Sequence, residues 1–289
     1  TKERRLLEKF MKKIILGLTI IFSLVWSNSF AQGSKQEIVS GLQNFDVSRN
    51  GSTLGTTERK WWQTVLNVAS VVVADAGGFY GGVQGSVAVA GAVGLATGGT
   101  GVAVVAGVAG TIAAAGSSNL AYQGLNWRGA NQIHYGSLTI TLPEKYRFLG
   151  PVGRDHNTVI HNNFFNSLPL ESYYRPLLDE SQIRVIEHEK MQETFTFVKN
   201  LGLSYAQRNF DFNYFANELM SKQLMTIDGK EILSAFFNKY KVCSSPTDME
   251  NLINYSINIV AESRLNEIEK ESLIGAFIIA SESPFYYAQ

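Results

Sequence analysis

The sequence contains few of the residues and motifs from which enzyme sites and disulfide frameworks are built. There is one cysteine, Cys243, and there are four histidines in 289 residues. A single cysteine excludes an intramolecular disulfide and any zinc site made of several cysteines. No glycine-rich loop leads into the Lys-Ser/Thr pair of a phosphate-binding loop, and Gly202-Leu203-Ser204-Tyr205-Ala206 lacks the second glycine of a hydrolase nucleophile elbow. We therefore expect no cofactor, and a role in binding or membrane contact more than in catalysis.

Charge is also scarce, and it is balanced. Asp, Glu, Lys and Arg make up 17% of the chain, with 25 acidic and 25 basic residues. Residues 1–31 hold six of the basic and two of the acidic residues, so the chain without them has a formal net charge of −4. That balance offers no basic surface for phosphates, and we expect no nucleic-acid partner. Between Lys60 and Arg128 the only charged residue is Asp75.

The N-terminal segment has the pattern of a secretory signal peptide. Lys12-Lys13 precedes an apolar run from Ile14 to Trp26, and Ser29-Phe30-Ala31 fits a signal-peptidase site. The run is shorter than the roughly 20 residues that span a bilayer. We interpret residues 1–31 as upstream residues plus a signal peptide that starts at Met11 and is cleaved after Ala31. This predicts export beyond the inner membrane, to the periplasm, the outer envelope or the medium.

The next two regions are a polar linker, predicted over residues 32–57, and a glycine-rich region, residues 58–128. From Ala76 to Gly116 there are 41 residues without a charge, among them 13 glycines and 11 alanines. On a helix, Gly77, Gly81 and Gly85 form a flat stripe that another backbone can approach closely. This pattern is a glycine zipper and is typical of helices that associate inside a bilayer. The glycines that we expect to pack helices are Gly77, Gly78, Gly81, Gly82, Gly85, Gly94, Gly98 and Gly107.

The glycine-rich region predicts a helical hairpin. A Gly/Thr cluster at residues 97–101 divides it into two apolar halves, Val65–Ala96 and Val102–Gln123, each long enough to cross a hydrocarbon core of roughly 30 Å. Tryptophan beside Lys or Arg is typical of membrane interfaces, so we expect anchors on both flanks. The expected anchors are Trp61, Trp62, Trp127 and Arg128.

Two other interpretations of this region remain open. A Gly/Ala-rich hairpin can be the densely packed centre of a soluble helical protein. The Val/Gly mixture of residues 101–105 also fits β-structure, because short apolar runs do not separate strand from helix. Glycine lowers helix propensity by roughly 1 kcal/mol relative to alanine, so a hairpin this rich in glycine needs tight packing against a partner.

The remainder of the chain changes pattern near residue 129. Residues 129–180 indicate a connecting segment, in which Ser137–Leu142 alternates polar and apolar residues and predicts a short strand or extended piece. Residues 181–289 have helical spacing, with Met249, Ile253 and Ile257 on one face. We therefore expect a mainly α fold: a Gly/Ala-rich helical hairpin, a short extended segment and a C-terminal α-helical domain of four to five helices.

The densest group of candidate functional side chains consists of Asp155, His156, Asn157 and His161. On a helix the two histidines diverge by about 140°, so they would not share a face as zinc ligands at i and i+4 do. We expect no metal site, and polar contacts at a helix entrance with Asp155 or Asn157 as the cap. A hydrolase or metal enzyme that uses both histidines is a third hypothesis for function, behind the two given below.

Three short motifs resemble those of uncharacterised exported glycine-zipper proteins of Gram-negative bacteria. They are Asp75-Ala76-Gly77-Gly78, Gly153-Arg154-Asp155-His156-Asn157 and Ser283-Pro284-Phe285-Tyr286-Tyr287, in that order along the chain. That group has no assigned activity, so the resemblance implies only that His156 and Asn157 merit mutation.

Two leading hypotheses for function follow. In the first, a non-enzymatic exported protein inserts into or packs on a membrane through the hairpin, as a toxin-like protein or an envelope component. Its partners are then membrane lipid or further copies of itself. In the second, an exported soluble α-helical binding protein uses the glycine-rich hairpin as its own packed core.

Overall fold

The described part of the chain is built from helices. The structure is a computed structural model, and it describes residues 34–47, 62, 64–65, 68–95, 100–123 and 138–287. These residues are mainly helical and include no strand, which confirms the prediction of a mainly α fold.

Eleven α-helices follow one another in these ranges. A 3₁₀ helix, Glu144–Leu149, precedes the fourth, and a π-helical turn, Ile160–Phe165, follows it directly. The helices are α1 (34–44), α2 (Ala69–Ala92), α3 (Thr100–Gln123), α4 (Val152–Val159), α5 (Glu171–Tyr174), α6 (Glu180–Ile186), α7 (Glu189–Gln207), α8 (Phe212–Ser221), α9 (Ile227–Tyr240), α10 (Pro246–Glu262) and α11 (Glu267–Tyr287).

Helix α2 lies at the centre of the fold. It packs along α3 and also contacts α7, α8 and α11. Gly78 lies against Ala113 and Ser117, whereas Gly82 lies against Ala109, so α2 and α3 run antiparallel. Since 18 of its 24 residues are buried, α2 is enclosed on nearly every side.

Helix α11 is the second central element. Every residue from Ser272 to Tyr287 is buried, and the helix crosses both α2 and α4. The ring of Phe79 on α2 lies against Gly110 of α3 and Gly275 of α11. A methyl group at Gly110 would lie 2.7 Å from that ring, so the absence of a side chain makes room for it.

The glycine-rich helices and the C-terminal helices share one hydrophobic core. Its buried residues include Ile38 of α1, Phe79 of α2, Phe236 of α9 and Ile279 of α11. The predicted regions 58–128 and 181–289 therefore contribute side chains to the same core. Folding of either region depends on the other, because each covers apolar surface that the other leaves open.

The C-terminal region has more helices than expected. Six helices, α6 to α11, cover it where four to five were predicted. Asn209, Phe210 and Gln223 have positive φ angles and end two of these helices, and such angles are unusual for residues other than glycine. Helix α10 begins with a common capping arrangement: Ser245 accepts from the Asp248 amide, and Pro246 occupies the first turn.

The predicted linker, residues 32–57, is helical in part. Residues 34–44 form α1, and Ile38 and Leu42 are buried. Gly41 of α1 lies against Tyr255 and Ile259 of α10. Two buried apolar residues, Ile38 and Leu42, are too few to give a clear helical pattern in a polar segment.

The predicted connecting segment, residues 129–180, also contains helices, namely α4 and α5 with the 3₁₀ and π-helical turns. Residues 138–143 lie outside any helix or strand. The amides of Thr139 and Thr141 donate to Glu250 and Asn254 of α10. The apolar residues of the alternating pattern, Leu138, Ile140 and Leu142, pack against the core, and no described residue pairs with this stretch as a neighbouring strand.

Candidate functional site

The predicted glycine stripe faces α7 and α8. A methyl group at Gly77 would lie 2.5 Å from Cε1 of Phe215, and one at Gly85 would lie 2.9 Å from Cγ2 of Thr194. Gly81 is in close contact with Leu219 in between. The stripe thus meets side chains of the same chain at all three positions.

A second pair of glycines faces α3. A methyl group at Gly78 would lie 3.0 Å from the carbonyl oxygen of Ala113, and one at Gly82 would lie 2.6 Å from that of Ala109. These are backbone atoms, so the two helices are as close as two glycines allow. The five glycines of the motif therefore form two contact surfaces, one towards α7 and α8 and the other towards α3.

The other three glycines differ from the five. Gly94 follows α2 with a φ of +77° and has no atom within 4 Å of an added methyl group, so it shapes a turn and packs no helix. Gly107 is in ordinary contact with Val152, at 3.8 Å from an added methyl group. Gly98 lies outside the described residues.

One predicted interface anchor lies within the described residues, and it is buried. Trp62 is 2% exposed, and its indole N–H donates to the carbonyl of Cys243 at 3.1 Å. This tryptophan ties the start of the glycine-rich region to the turn before α10, which differs from a position at a membrane surface. Trp61, Trp127 and Arg128 lie outside the described residues.

Six polar side chains meet in the interior between α2, α3, α4 and α11. Each is at most 2% exposed, and hydrogen bonds connect them. A carboxylate enclosed by apolar helices requires such partners, because an unpaired buried charge is very costly. We call this group the buried polar cluster: Asp75, Ser118, His156, Asn157, Ser283 and Tyr287.

His156 is the centre of the cluster. Its Nε2 lies 2.9 Å from Oδ1 of Asp75, and its Nδ1 lies 3.0 Å from Oδ1 of Asn157. The amide nitrogen of Asn157 donates to the carbonyl of Glu282, so the amide oxygen accepts from the Nδ1–H of His156. By this assignment from the hydrogen bonds, Nε2 is the ring nitrogen that faces the carboxyl group of Asp75.

The outer members of the cluster complete its hydrogen bonds. The hydroxyl of Ser283 donates to Oδ2 of Asp75. Tyr287 donates to Oγ of Ser118 at 2.7 Å, and burial raises the pKa of Tyr287 well above its usual value, so the phenol remains a neutral donor. These bonds link α2 and α4 to α11, and α11 to α3.

The cluster has the residue types of a hydrolase triad but a different geometry. In a triad, the carboxylate orients one ring nitrogen and the serine contacts the other. Here Ser283 contacts the carboxylate, and the second ring nitrogen faces Asn157. Ser118 lies 3.5 Å from Nε2, the nitrogen that already faces Asp75. Enclosed from solvent, the cluster cross-links helices and offers no place for a substrate.

Two of the four predicted polar residues belong to the cluster. His156 and Asn157 lie in the second turn of α4, and no side chain caps that helix, which corrects the expected capping role. Asp155 accepts a bond from Tyr173, and burial raises the pKa of Asp155. His161 lies in the π-helical turn, where its Nδ1 is buried without a hydrogen bond to any described residue.

Sequence reasoning did not connect Asp75 with His156, although signals were present. An isolated charge in an otherwise uncharged stretch of this length indicates a buried partner elsewhere in the chain. The three motifs of the family resemblance contain five of the six cluster residues. The order of these motifs along the chain does not indicate that they converge in space.

A cavity of about 700 Å³ opens between α2, α3, the 3₁₀ helix and the start of α11. Most of the exposed wall is apolar. No sequence motif marked this cavity, because its wall comes from five separate segments. We call it the apolar cleft; its described lining residues are Gln84, Val87, Val102, Ala103, Val104, Lys145, Phe148, Thr226, Asn266, Glu267, Ile268, Glu269 and Glu271.

The carboxyl groups of the apolar cleft come from one end of α11. Glu267 pairs with Lys145 at 2.7 Å. Glu269 accepts from Thr226 at 2.7 Å and from Tyr80, and burial raises the pKa of Glu269. Burial, together with the negative charge of Glu267, raises the pKa of Glu271 to about 7. Around neutral pH, Glu271 therefore changes between its neutral and charged forms.

The described residues include no group of three or more His, Cys, Asp or Glu side chains that is arranged to hold a metal ion. One of their helices is long and apolar enough to cross a membrane: α3, from Gly101 to Gln123, with a mean hydropathy of 1.6. The structure buries 83% of its most apolar window, as in the core helix of a soluble protein.

Comparison with known proteins identifies no relative that would assign a role to either site. No protein-family model, no curated protein and no solved structure matches the chain.

Proposed function

We propose that this protein is an α-helical binding protein that holds a small apolar ligand in the apolar cleft. The observation that carries the proposal is the cleft itself, whose volume of about 700 Å³ lies within the roughly 300–1,000 Å³ of ligand pockets. Valine and phenylalanine side chains supply much of its wall, and a few polar groups converge on it from α11. This combination is typical of sites for small molecules.

In this proposal the glycine-rich pair α2 and α3 is a glycine-zipper hairpin that serves as the protein's own core. Support comes from the contacts of Gly77 with Phe215 and of Gly82 with Ala109, which use the glycines inside the chain. Further support comes from Asp75, whose partners His156 and Ser283 belong to α4 and α11. Leaving this core would expose a paired carboxyl group to hydrocarbon at a large cost.

Export is part of the same proposal. It rests on the signal-peptide pattern of residues 11–31, which lie outside the described residues. N-terminal sequencing of protein recovered from the periplasm or the medium should give Gln32 as the first residue. Recovery of the protein with residues 11–31 still attached would convert this segment into an anchor.

A second candidate function is membrane association through the hairpin, either with lipid or with further copies of the chain. The observation that favours it is the length and apolar character of α3. In this case the packed structure described above would be the conformation before membrane insertion. Helices α2 and α3 would have to separate from α7 and α11 before they insert.

Binding to the cleft can be tested with the neutral aromatic fluorophore N-phenyl-1-naphthylamine. Wild-type protein should bind it at one site with an increase in emission. Val104→Trp places a large ring in the cleft wall and should abolish binding, whereas Val242→Trp, at a position that is 61% exposed, should leave binding unchanged. Melting curves of both variants check that each is folded. Equal binding by the two folded variants, or none by the wild type, would contradict the proposal.

Vesicle flotation separates the two candidate functions. Vesicles of phosphatidylethanolamine and phosphatidylglycerol are mixed with the protein at pH 5 and pH 7.5, and a trapped dye reports leakage. The binding-protein proposal predicts that the protein stays in the aqueous fraction without leakage. Flotation with dye release at either pH would favour the membrane hypothesis.

A further inference from the structure

Glu271 differs from the other carboxyl groups of the apolar cleft. Glu267 is paired with Lys145, and Glu269 accepts hydrogen bonds from Thr226 and Tyr80. Glu271 is half-buried, and no described residue donates a hydrogen bond to its carboxyl group. A carboxyl group in this position lacks part of its hydration and lacks a protein donor that would replace it.

The wall opposite α11 supplies no charge that could compensate Glu271. The lining residues of α2 are Gln84 and Val87, and those of α3 are Val102 to Val104, all of them uncharged. The one cation of the lining, Lys145, pairs with Glu267 and offsets the charge of Glu271 only in part, since the pKa of Glu271 stays raised. An occupant of the cleft therefore meets apolar side chains and an excess of negative charge.

We propose that the apolar cleft binds a small organic amine whose ammonium group contacts Glu271 and whose apolar body lies along the valines of α2 and α3. This inference rests on the proposed function and specifies its ligand class. An ammonium group donates the hydrogen bond that Glu271 lacks and offsets the negative charge of the lining. A carboxylate or phosphate of the same size would face three carboxyl groups and is disfavoured by the same charges.

Three ligands with one common chain test the proposal: decylamine, decanol and decanoate, each below its critical micelle concentration. Their affinities are measured by displacement of N-phenyl-1-naphthylamine at pH 8, where Glu271 is mostly ionised because its pKa is about 7. Decylamine should bind about 10- to 100-fold more tightly than decanol, the range expected for a hydrogen bond to a charged group. Decanoate should bind most weakly.

Glu271→Gln assigns the difference to one side chain. It should bring decylamine to within about threefold of decanol while leaving the affinity for decanol unchanged. The matched control, Glu262→Gln, changes an exposed carboxyl group at the end of α10 and should keep the full difference. A difference between amine and alcohol that persists in Glu271→Gln would overturn the inference.

The affinity for decylamine should also depend on pH. Protons compete with the ammonium group for Glu271, so the affinity should rise by up to about tenfold from pH 6 to pH 8, since the pKa of Glu271 is about 7. The affinity for decanol should stay constant. The titratable groups near Glu271 are Glu267 and Glu269 on α11 and Lys145 and Tyr146 on the 3₁₀ helix, and a Glu271→Gln variant that keeps the same pH profile would assign the effect to them.

The outcomes for the two proposals are distinguishable. If neither the fluorophore nor any of the three ligands binds, the proposed binding function fails. If the fluorophore and decanol bind but decylamine binds no better than decanol, binding stands and the amine inference fails.

Discussion

Gly82→Ala tests the close contact between α2 and α3 with the smallest possible change. The added methyl group would lie 2.6 Å from the carbonyl oxygen of Ala109, 2.7 Å from Cβ of Ala113 and 2.8 Å from Cα of Gly110. None of these atoms can rotate away, since two belong to the backbone and the third is the only side-chain atom of an alanine. The helices must separate by about 0.8 Å at this point to restore an ordinary contact of 3.4 Å.

The expected cost follows from a comparison with Gly107→Ala. Both changes replace a buried glycine inside a helix, so both gain roughly 1 kcal/mol of helix propensity. The methyl group at Gly107 meets its nearest atom, Cγ1 of Val152, at 3.8 Å and fits without movement. The difference between the variants therefore isolates the overpacking term, about 1–3 kcal/mol. With a shift of roughly 2–4 °C per kcal/mol for a domain of this size, Gly82→Ala should melt about 2–12 °C below Gly107→Ala.

The measurement is urea unfolding of wild type and both variants, followed by circular dichroism at 222 nm, with melting curves in parallel. Gly107→Ala should be at least as stable as the wild type, because it adds helix propensity without a clash. Equal stability of the two variants would show that the helices are less tightly packed at Gly82 than the structure describes. If Gly82→Ala kept the stability of the wild type but lost binding to vesicles, the result would support the membrane hypothesis.

Two further predictions concern the buried polar cluster and Glu271. Asp75→Ala and His156→Ala should each lower the free energy of unfolding by about 3–5 kcal/mol, because each leaves its partner unpaired in the interior. The double variant should cost less than the sum of the two, by about 0.5–3 kcal/mol in urea unfolding, and strict additivity would argue against their direct contact. Glu271→Gln should raise the melting temperature more at pH 8 than at pH 5. Burial raises the pKa of Glu271 from 4.5 to about 7, so the stability of the wild type falls as the pH rises from 4.5 to about 7, and the variant, which has no such loss, gains most above that range. Equal gains at the two pH values would contradict this assignment.

Helical periodicity is where prediction from the sequence succeeded. Met249, Ile253 and Ile257 are buried on one face of α10, as their spacing predicts. The apolar halves Val65–Ala96 and Val102–Gln123 enclose α2 and coincide closely with α3. These features depend on neighbours within one or two helical turns, so the local sequence is sufficient to predict them.

The candidate site was less accessible to this kind of reasoning. His156 and Asp75 are 81 positions apart, and nothing in either local pattern indicates that they meet. Trp62 has the neighbours of an interface anchor, but its indole donates to a carbonyl 181 positions away. The residues that line the cleft around Glu271 are spread even more widely along the sequence, because they come from five segments.

Local pattern therefore established the helical class, the flat glycine face of α2 and the single charge within it. It left open what covers that face, since a glycine stripe accepts a helix in a bilayer as readily as one in a folded core. In the tertiary structure, side chains of α7 and α8 cover the stripe, namely Phe215, Leu219 and Thr194. The tertiary structure also brings His156 and Ser283 to Asp75. These partners determine the cost of burying the carboxyl group, and only folding brings them together.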